Sequence, residues 1–458
     1  MIENDAFKLL LINLFHLNPD DIANIFCTTF NKMMVLLVTL ADKHQACPYC
    51  GFTAPKIKEY VTKEITHSAL TTQKCIIKYR ARRYKCPCCG KTYYEFNPFV
   101  FKSQKISILT VHNILKDLKD FNETFTSVAR RYHVSPTSVS TIFDNHVDIG
   151  RNPLPEIINF DEVYAFKSEK SKYVCVLLDF KKQIPVDVLP NRKKEYLLNY
   201  FQKIPLEERK KLKYACSDMY EVYRDVVHKV FPCSCMLLDY FHLSQDFHRK
   251  MNEVRIKVMK GYKDDKASDE YYLLKKFNWL LFKNPEDEDK YGRLFDVERE
   301  RKYNSHFKSY MNYYDLRKKI LEINNDLTIC YSLKLELVDF YSKSTIENAK
   351  VNLEHLIRSC IDTNIEEMIA FSNNLINWKQ EIINSFTIVG TEYKVEADKG
   401  QVVVCNKKVN NAIIENRNKI IKCIKNNANG YTNWSRFRNR VMYVLDPNTT
   451  FSLEPREK

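Results

Sequence analysis

Residues 157–166 read IINFDEVYAF. Apolar side chains at Ile157, Ile158, Phe160, Val163 and Phe166 lack helical spacing, so the segment reads as a β-strand. Asp161 and Glu162 stand in its middle. Strand interiors are poor in Asp, and a carboxylate buried without a partner is costly. A strand that keeps one has a use for it.

Downstream, SKYVCVLLDF and QIPVDVLP are two further strand-like runs, and short polar turns give the spacing of an antiparallel meander. KKEYLLNYFQKI follows as an amphipathic helix. LKYACSDMYEVYRDVVHKVF is a strand that ends in Asp218 and runs into a helix. CSCMLLDYFHLSQDFHRKM repeats the move, with Asp239 and His242 at the junction. The order β-β-β-α-β-α-β-α is that of an α/β, ribonuclease H-like fold, an analogy of topology. In such a sheet the first and fourth strands are neighbours, so Asp161 and Asp218 would converge. Close carboxylates repel unless a divalent cation sits between them. Mg2+ and Mn2+ prefer such oxygens, so the strand acid is expected to be a metal ligand.

A third acid should come from a later helix. NNAIIENRNKIIKCIK supplies Glu415, alongside Ile413, Ile414, Ile420 and Ile421. A salt-bridge partner on a basic helix would leave the same trace. Alternation turns Glu162 to the opposite face of its strand, so it is not counted as a ligand. Asp239 and His242 are assigned a supporting role beside the metal site.

Upstream, CPYCG places Cys47 and Cys50 three apart, and CPCCGKTYYEF does the same for Cys86 and Cys89. Each knuckle is followed by Gly, which permits the tight turn that aims two thiolates at one metal. Two such knuckles predict one structural Zn2+. A redox pair or coincidence would be the bland alternatives, and Cys88 could replace Cys86. The segment between them, KCIIKYRARRYKC, is partly strand-like and basic, as in a zinc ribbon on DNA.

TFTSVARRYHVSPTSVSTIFDNHV (residues 124–147) holds Val128 and Ala129 on one helix, a turn at VSP, and Val139, Ile142 and Phe143 on a second. Ser135 is the expected N-cap and Pro136 the first helical residue. A helix-turn-helix fits, with Thr137, Ser138 and Ser140 toward the major groove and Arg130 and Arg131 on phosphates. An ordinary αα-hairpin would show the same pattern.

The chain has 458 residues and a net charge of +15. Lys74–Lys105 holds nine Lys or Arg and one acid, Glu95; Asn406–Arg440 holds nine and one, Glu415. These windows carry the whole positive excess, which uniform codon bias does not predict. Two such patches point to nucleic acid. The acidic start, MIENDAF, argues against a secretory signal, and the longest mostly apolar run, Met33–Ala41, is too short to span a bilayer. A cytoplasmic, nucleoid-associated protein with no membrane partner is expected, its 15 Cys being thiols or metal ligands.

Taken together, CPYCG, CPCCGKTY, NFDEVYAF, SDMYEVYRDVVHKVFP, LDYFHL and NNAIIENRNKIIKCIKNNANGYTNWSRFRNRVMYVL resemble a bacterial insertion-sequence transposase of the ISL-three family, over nearly all of residues 45–446. The resemblance implies a zinc finger, a helix-turn-helix and a DDE domain whose ribonuclease H-like core is interrupted by an all-helical insertion before the Glu. It places the DDE triad on Asp161, Asp218 and Glu415, holding two Mg2+ or Mn2+ for DNA cleavage and strand transfer. Ala412 and Asn416 stand where the family often has Gly, which touches helix geometry more than chemistry. Double-stranded DNA, as terminal inverted repeats and target, is the implied partner, and a homodimer or larger assembly the implied state. Arg417, Lys419, Lys422, Arg436, Arg438 and Arg440 would hold its backbone.

The resulting domain map is 1–44, a helical and strand segment; 45–100, the four-cysteine domain; 101–150, the helix-turn-helix; 151–248, the first part of the core; 249–394, the insertion; 395–446, the last part of the core; and 447–458, a tail. Trp378, in the insertion, is expected in a hydrophobic core rather than stacked on a base. The rival readings are a DNA-binding regulator with an inactive C-terminal domain, a nuclease that does not join DNA, and a protein–protein scaffold.

Overall fold

The computed structural model describes residues 2–43, 45–70, 72–101, 104–166, 171–395 and 402–456. Alternation builds the first sheet. In β4 (Cys75–Lys85) the inward side chains Cys75, Ile77, Tyr79 and Ala81 are buried, whereas Arg80 points out. They pack with Leu11, Ile12 and Phe15 at the end of α1 (Ile2–Leu14) and just beyond it. β1 (Ile22–Phe30) and β2 (Met33–Leu40) form a hairpin turned by Asn31 and Lys32, both at positive φ (47° and 61°), the requirement of the primed two-residue turns. β2 pairs in parallel with β4, and β3 (Lys56–Thr66) and β5 (Thr92–Tyr94) pair antiparallel with it. The boundary expected at residue 44 therefore falls inside one five-stranded sheet.

Three helices follow, α2 (Ile108–Asp117), α3 (Phe125–Arg131) and α4 (Pro136–His146). Their starts are capped by Ser107, Thr124 and Ser135, whose hydroxyls accept from backbone N–H groups one turn on. Val111, Ile114, Leu115, Val128, Ala129, Val139 and Phe143 fill their common core.

The second sheet is the one that positions the site. It comprises β6 (Ile157–Val163), β7 (Val174–Asp179), β8 (Pro185–Leu189), β9 (Tyr214–Ser217) and β10 (Cys235–Leu238), in the order β10-β9-β6-β7-β8. β6, β7 and β8 are the antiparallel meander, while β9 and β10 run parallel to β6. The first and fourth strands are neighbours, as the element order predicts. Ile158 and Phe160 face α5 (Lys194–Gln202), the short α6 (Leu206–Arg209) lies between α5 and β9, and α7 (Glu221–Val230) adds Tyr223, Val226 and Val227 to the same core.

α8 (Tyr240–Lys260) leaves β10 and enters the insertion without a break, so the boundary expected at 248 lies inside one 21-residue helix. α9 (Asp269–Lys276), α10 (Tyr313–Glu322), α11 (Asn325–Lys343), α12 (Ala349–Asp362), α13 (Glu366–Asn377) and α14 (Lys379–Asn384) close around Phe247, Met251, Leu274, Leu353, Phe371 and Trp378. Trp378 is core, with the Arg224 guanidinium 4.3 Å from its ring centre.

The insertion is not all-helical. Between α9 and α10 lie two hairpins, β11–β12 (Glu288–Asp289, Gly292–Arg293) and β13–β14 (Lys302–Asn304, Ser309–Met311). Gly292 at φ 97° and Lys308 at φ 50° accompany these turns, and of the run between the hairpins Leu294 and Phe295 are buried in the core of the insertion. β15 (Ile388–Val395) and β16 (Val402–Lys408) form a further hairpin that straddles the boundary expected at 394.

α15 (Ala412–Asn427) and α16 (Trp434–Leu445) cover the other face of the second sheet, where Ile414, Ile421, Phe437 and Val441 meet Val163, Val174 and Val176. α16 also ties this sheet to the three-helix unit. Its Arg440 is 1% exposed and donates to the carbonyls of Asp120 and Glu123, and the Tyr443 hydroxyl donates to that of Leu115.

Candidate active site

β6, β9 and β10 run in register, with Asn159 opposite Cys216 and Ser217 opposite Leu238. Continued by two residues on β6 and one on the others, that register lines up Asp161, Asp218 and Asp239 at the carboxyl edge of the sheet. Such edges are where open α/β sheets bind ligands. Asp161 faces α15, on the side opposite Phe160 and Glu162.

α15 is held against this edge by amides. Asn159 Nδ2 donates to Asn411 Oδ1 at 2.7 Å and to the Asn410 carbonyl at 2.8 Å. The Asp239 carboxylate lies beside the Asn411 backbone N–H. Asn418 Nδ2 donates to Asp161 Oδ2 at 2.7 Å. These bonds bring Glu415, in the first turn of α15, to the same place. His242, in the first turn of α8, has Nε2 3.8 Å from Asp239 Oδ2 and 3.9 Å from Glu415 Oε1. Four acids and an imidazole thus gather from four segments.

Burial governs their electrostatics. Desolvation, with the Asp218 charge added, pushes the Asp161 carboxyl up to about 7. Burial also raises Asp218 and Asp239, against the opposing pull of His242 on both and of Arg192 on Asp218. Glu162 lies on the other face, as alternation predicts, ion-paired to Arg192 and accepting from the Tyr223 hydroxyl at 3.2 Å. Asp218 Oδ1, Asp239 Oδ2 and His242 Nε2 are buried with no hydrogen-bond partner. Native proteins leave few such atoms unsatisfied, and divalent cations bound among these residues would satisfy them.

This has a measurable cost in the metal-free protein. Between the ordinary Asp pKa of about 4 and about 7, folded Asp161 keeps a proton that the unfolded chain has lost. Stability from this group therefore falls as pH rises through that window. Asp161→Asn is expected to raise the stability of the metal-free protein at pH 8 by roughly 2–4 kcal/mol, and to leave it nearly unchanged at pH 4. Thermal melts at the two pH values check this.

The four cysteines form a second centre. Cys47 Sγ lies 3.7 Å from Cys89 Sγ, and Cys50 Sγ 3.5 Å from Cys86 Sγ. Sulfurs on one tetrahedral Zn2+ are about 3.8 Å apart. The two knuckles share one geometry. Gly51 and Gly90, at φ 75° and 71°, donate back to the Cys47 and Cys86 carbonyls, and Cys47 and Cys86 donate to Phe52 and Lys91. The Cys89 backbone N–H brings the Cys86 thiol down to about 7. Cys88 is exposed and outside the cluster.

The expected DNA contacts fare unevenly. Arg130, Thr137, Lys419 and Lys422 are exposed, and Ser138 and Arg417 partly so. Ser140 is buried, its hydroxyl donating to the Thr137 carbonyl one turn back, so it does not face a groove. Arg131 is clamped between Asp117 and Glu123. Arg436 pairs with Asp144 and Arg438 with Asp187, each at 2.6 Å, and Arg440 is buried. These four arginines join structural elements, and their charge is spent on protein partners. Asn418, Asn411 and Arg192 were not foreseen. Asn418 carried a signal, since it lies three residues after Glu415 and so shares its helix face.

Comparison with known proteins converges on one class. The family model for transposases of the ISL-three DDE type matches residues 158–397, a span that includes Asp161, Asp218, Asp239 and His242 and stops before Glu415. A transposase for insertion sequence element IS1001 of Bordetella parapertussis is 19% identical over 409 residues, covering 89% of this chain and 90% of that protein. Among the described residues, no helix is long and apolar enough to cross a membrane.

Proposed function

This chain belongs to the ISL-three family of DDE transposases, and from that membership we propose that it binds the terminal inverted repeats of an insertion sequence, cuts the DNA there and joins the freed end to a target. Its second sheet is read as a ribonuclease H-like core, and its first sheet and three-helix unit as a zinc ribbon and a helix-turn-helix. What supports the reading is that Asp161 and Asp218 lie side by side at the sheet edge and that Asn418 of α15, the helix that carries Glu415, donates to Asp161 at 2.7 Å, beside buried polar atoms that lack partners.

The residues suit hard divalent ions, Mg2+ or Mn2+. When bound, such ions supply Lewis acidity at the attacked phosphate and at the leaving 3′ oxygen. The chain's own part is positional. Asp161, Asp218 and Glu415 provide ligand oxygens, Asn418 fixes the Asp161 carboxylate, and Asn159 and Asp239 fix the start of α15. Arg192 holds Glu162 away from the ligand face. Lys419 and Lys422, exposed one and two turns beyond Glu415, neutralise backbone phosphates, as does Arg130; Thr137 and Ser138 read the repeat. Phosphate contacts set register and base contacts set sequence. Two ends cut together call for at least two copies of the chain.

The test is a strand-cleavage and strand-transfer assay on DNA carrying the element's ends. Cleavage that requires Mg2+ or Mn2+, followed by joining of a 3′-hydroxyl end, is the expected result. Cleavage without joining would make the protein a nuclease, and repeat binding without cleavage a regulator.

A further inference from the structure

We propose that Asp239, His242 and Glu415 form a cation site of their own, with an imidazole nitrogen as ligand, distinct from the all-oxygen ligands Asp161 and Asp218. The use of this site in catalysis rests on the transposase reading; its existence rests on geometry. One oxygen or nitrogen from each of the three residues lies within 4.8 Å of the other two, and neither Asp161 nor Asp218 joins that group. Asp239 is 3% exposed, and its Oδ2 has no hydrogen-bond partner. His242 Nε2 is likewise buried and without a partner. The two atoms face each other at 3.8 Å, too far for a hydrogen bond. Adjacent ligand atoms at about 2.1 Å from one octahedral ion stand roughly 3.0 Å apart, so side-chain rotations of under about 1 Å close the site. Glu415 Oε1, 3.9 Å from the same nitrogen, completes the triangle.

The residues are held for this purpose by backbone. Asp239 is the N-cap residue of α8, and its carboxylate lies beside the backbone N–H groups of Phe241 and Asn411, between α8 and α15. His242 is one turn into α8 and Glu415 one turn into α15. Carboxylate oxygens suit Mg2+ and Mn2+ alike, whereas an imidazole is a better ligand for any first-row transition ion than for Mg2+. The site is therefore assigned to Mn2+ in preference to Mg2+.

The probe is Mn2+ added to the full chain, read by electron spin-echo modulation and by calorimetric stoichiometry. Wild type is expected to show nitrogen-14 modulation. His242→Gln, whose amide oxygen occupies similar space without an imidazole, should lose that modulation and bind Mn2+ at this site roughly tenfold or more weakly. Asp161→Asn should keep it. Far-ultraviolet circular dichroism verifies that each variant is folded, and His242→Asn provides a second replacement. Absence of nitrogen modulation in wild type that binds Mn2+ through Asp161 and Asp218 overturns this proposal and leaves the transposase reading standing. Modulation that persists in both His242 variants also overturns it. Loss of cleavage with the nitrogen signal intact in wild type counts against the transposase reading alone.

Discussion

Asp161→Asn, Asp218→Asn and Glu415→Gln are each expected to abolish strand cleavage, by about a thousandfold or more, while binding to the terminal repeats is expected to stay within about twofold of wild type. A thousandfold corresponds to about 4 kcal/mol of barrier, the scale of losing one charged ligand from a metal site that stabilises developing charge. The amides are the informative replacements because they keep shape. Asn at 161 can still accept from Asn418 Nδ2, whose bond to Asp161 Oδ2 is 2.7 Å long, so α15 stays docked and only the ligand charge is lost. On the proposed function, repeat binding falls to a different part of the chain, the first sheet and α2–α4, so it should not follow activity down. Cleavage assays and fluorescence anisotropy on one labelled end give both numbers. A variant that retains more than about a tenth of wild-type cleavage would remove its residue from the triad.

Cys86→Ser, or stripping of bound zinc with a chelator, is expected to reduce repeat binding by about a hundredfold or more and to leave the helical signal of the second half of the chain in place. The reason lies in how little else holds the knuckles. Beyond the sulfurs, their packing consists of Tyr84 and Tyr93, with Cys47 and Cys86 themselves the remaining buried members of that cluster. Gly51 and Gly90 sit in left-handed turns that shape each knuckle but do not hold the two together. Direct links between the two are few, the Lys91 ammonium 4.5 Å from the Tyr49 ring centre and the Phe96 N–H on Gln45 Oε1 at 3.0 Å; a shared ion would add the main one, and small sites of this kind fold with their metal. Zinc released per chain, measured with a chromophoric chelator, should fall to zero in Cys86→Ser. Cys88→Ser is the matched control, and should retain both zinc and binding because Cys88 stands outside the cluster.

Features that depend on neighbours in the chain could be read from residue order. The knuckles are of this kind, because a CxxC pair followed by Gly specifies its own turn. So are the cap at Ser135, the buried faces of α3 and α4, and the succession of strands and helices that fixes β6 beside β9. Asp161 stood out because an acid in an apolar strand costs energy wherever it is placed. What residue order could not carry was pairing across long separations. Formal charge marked Arg436, Arg438 and Arg440 as a DNA-facing patch, yet their partners are Asp144, Asp187 and the carbonyls of Asp120 and Glu123. A charge count cannot tell a solvated arginine from a buried one. Nor could it show that His242 and Asp239 come within 4 Å of each other and of the Glu415 helix, with orphaned atoms between them. The identity of the acids was thus local information, since an unpaired carboxylate is expensive anywhere in a core. Their assembly into a site was settled only when sheet register and the docking of α15 brought together atoms that the backbone leaves hundreds of residues apart.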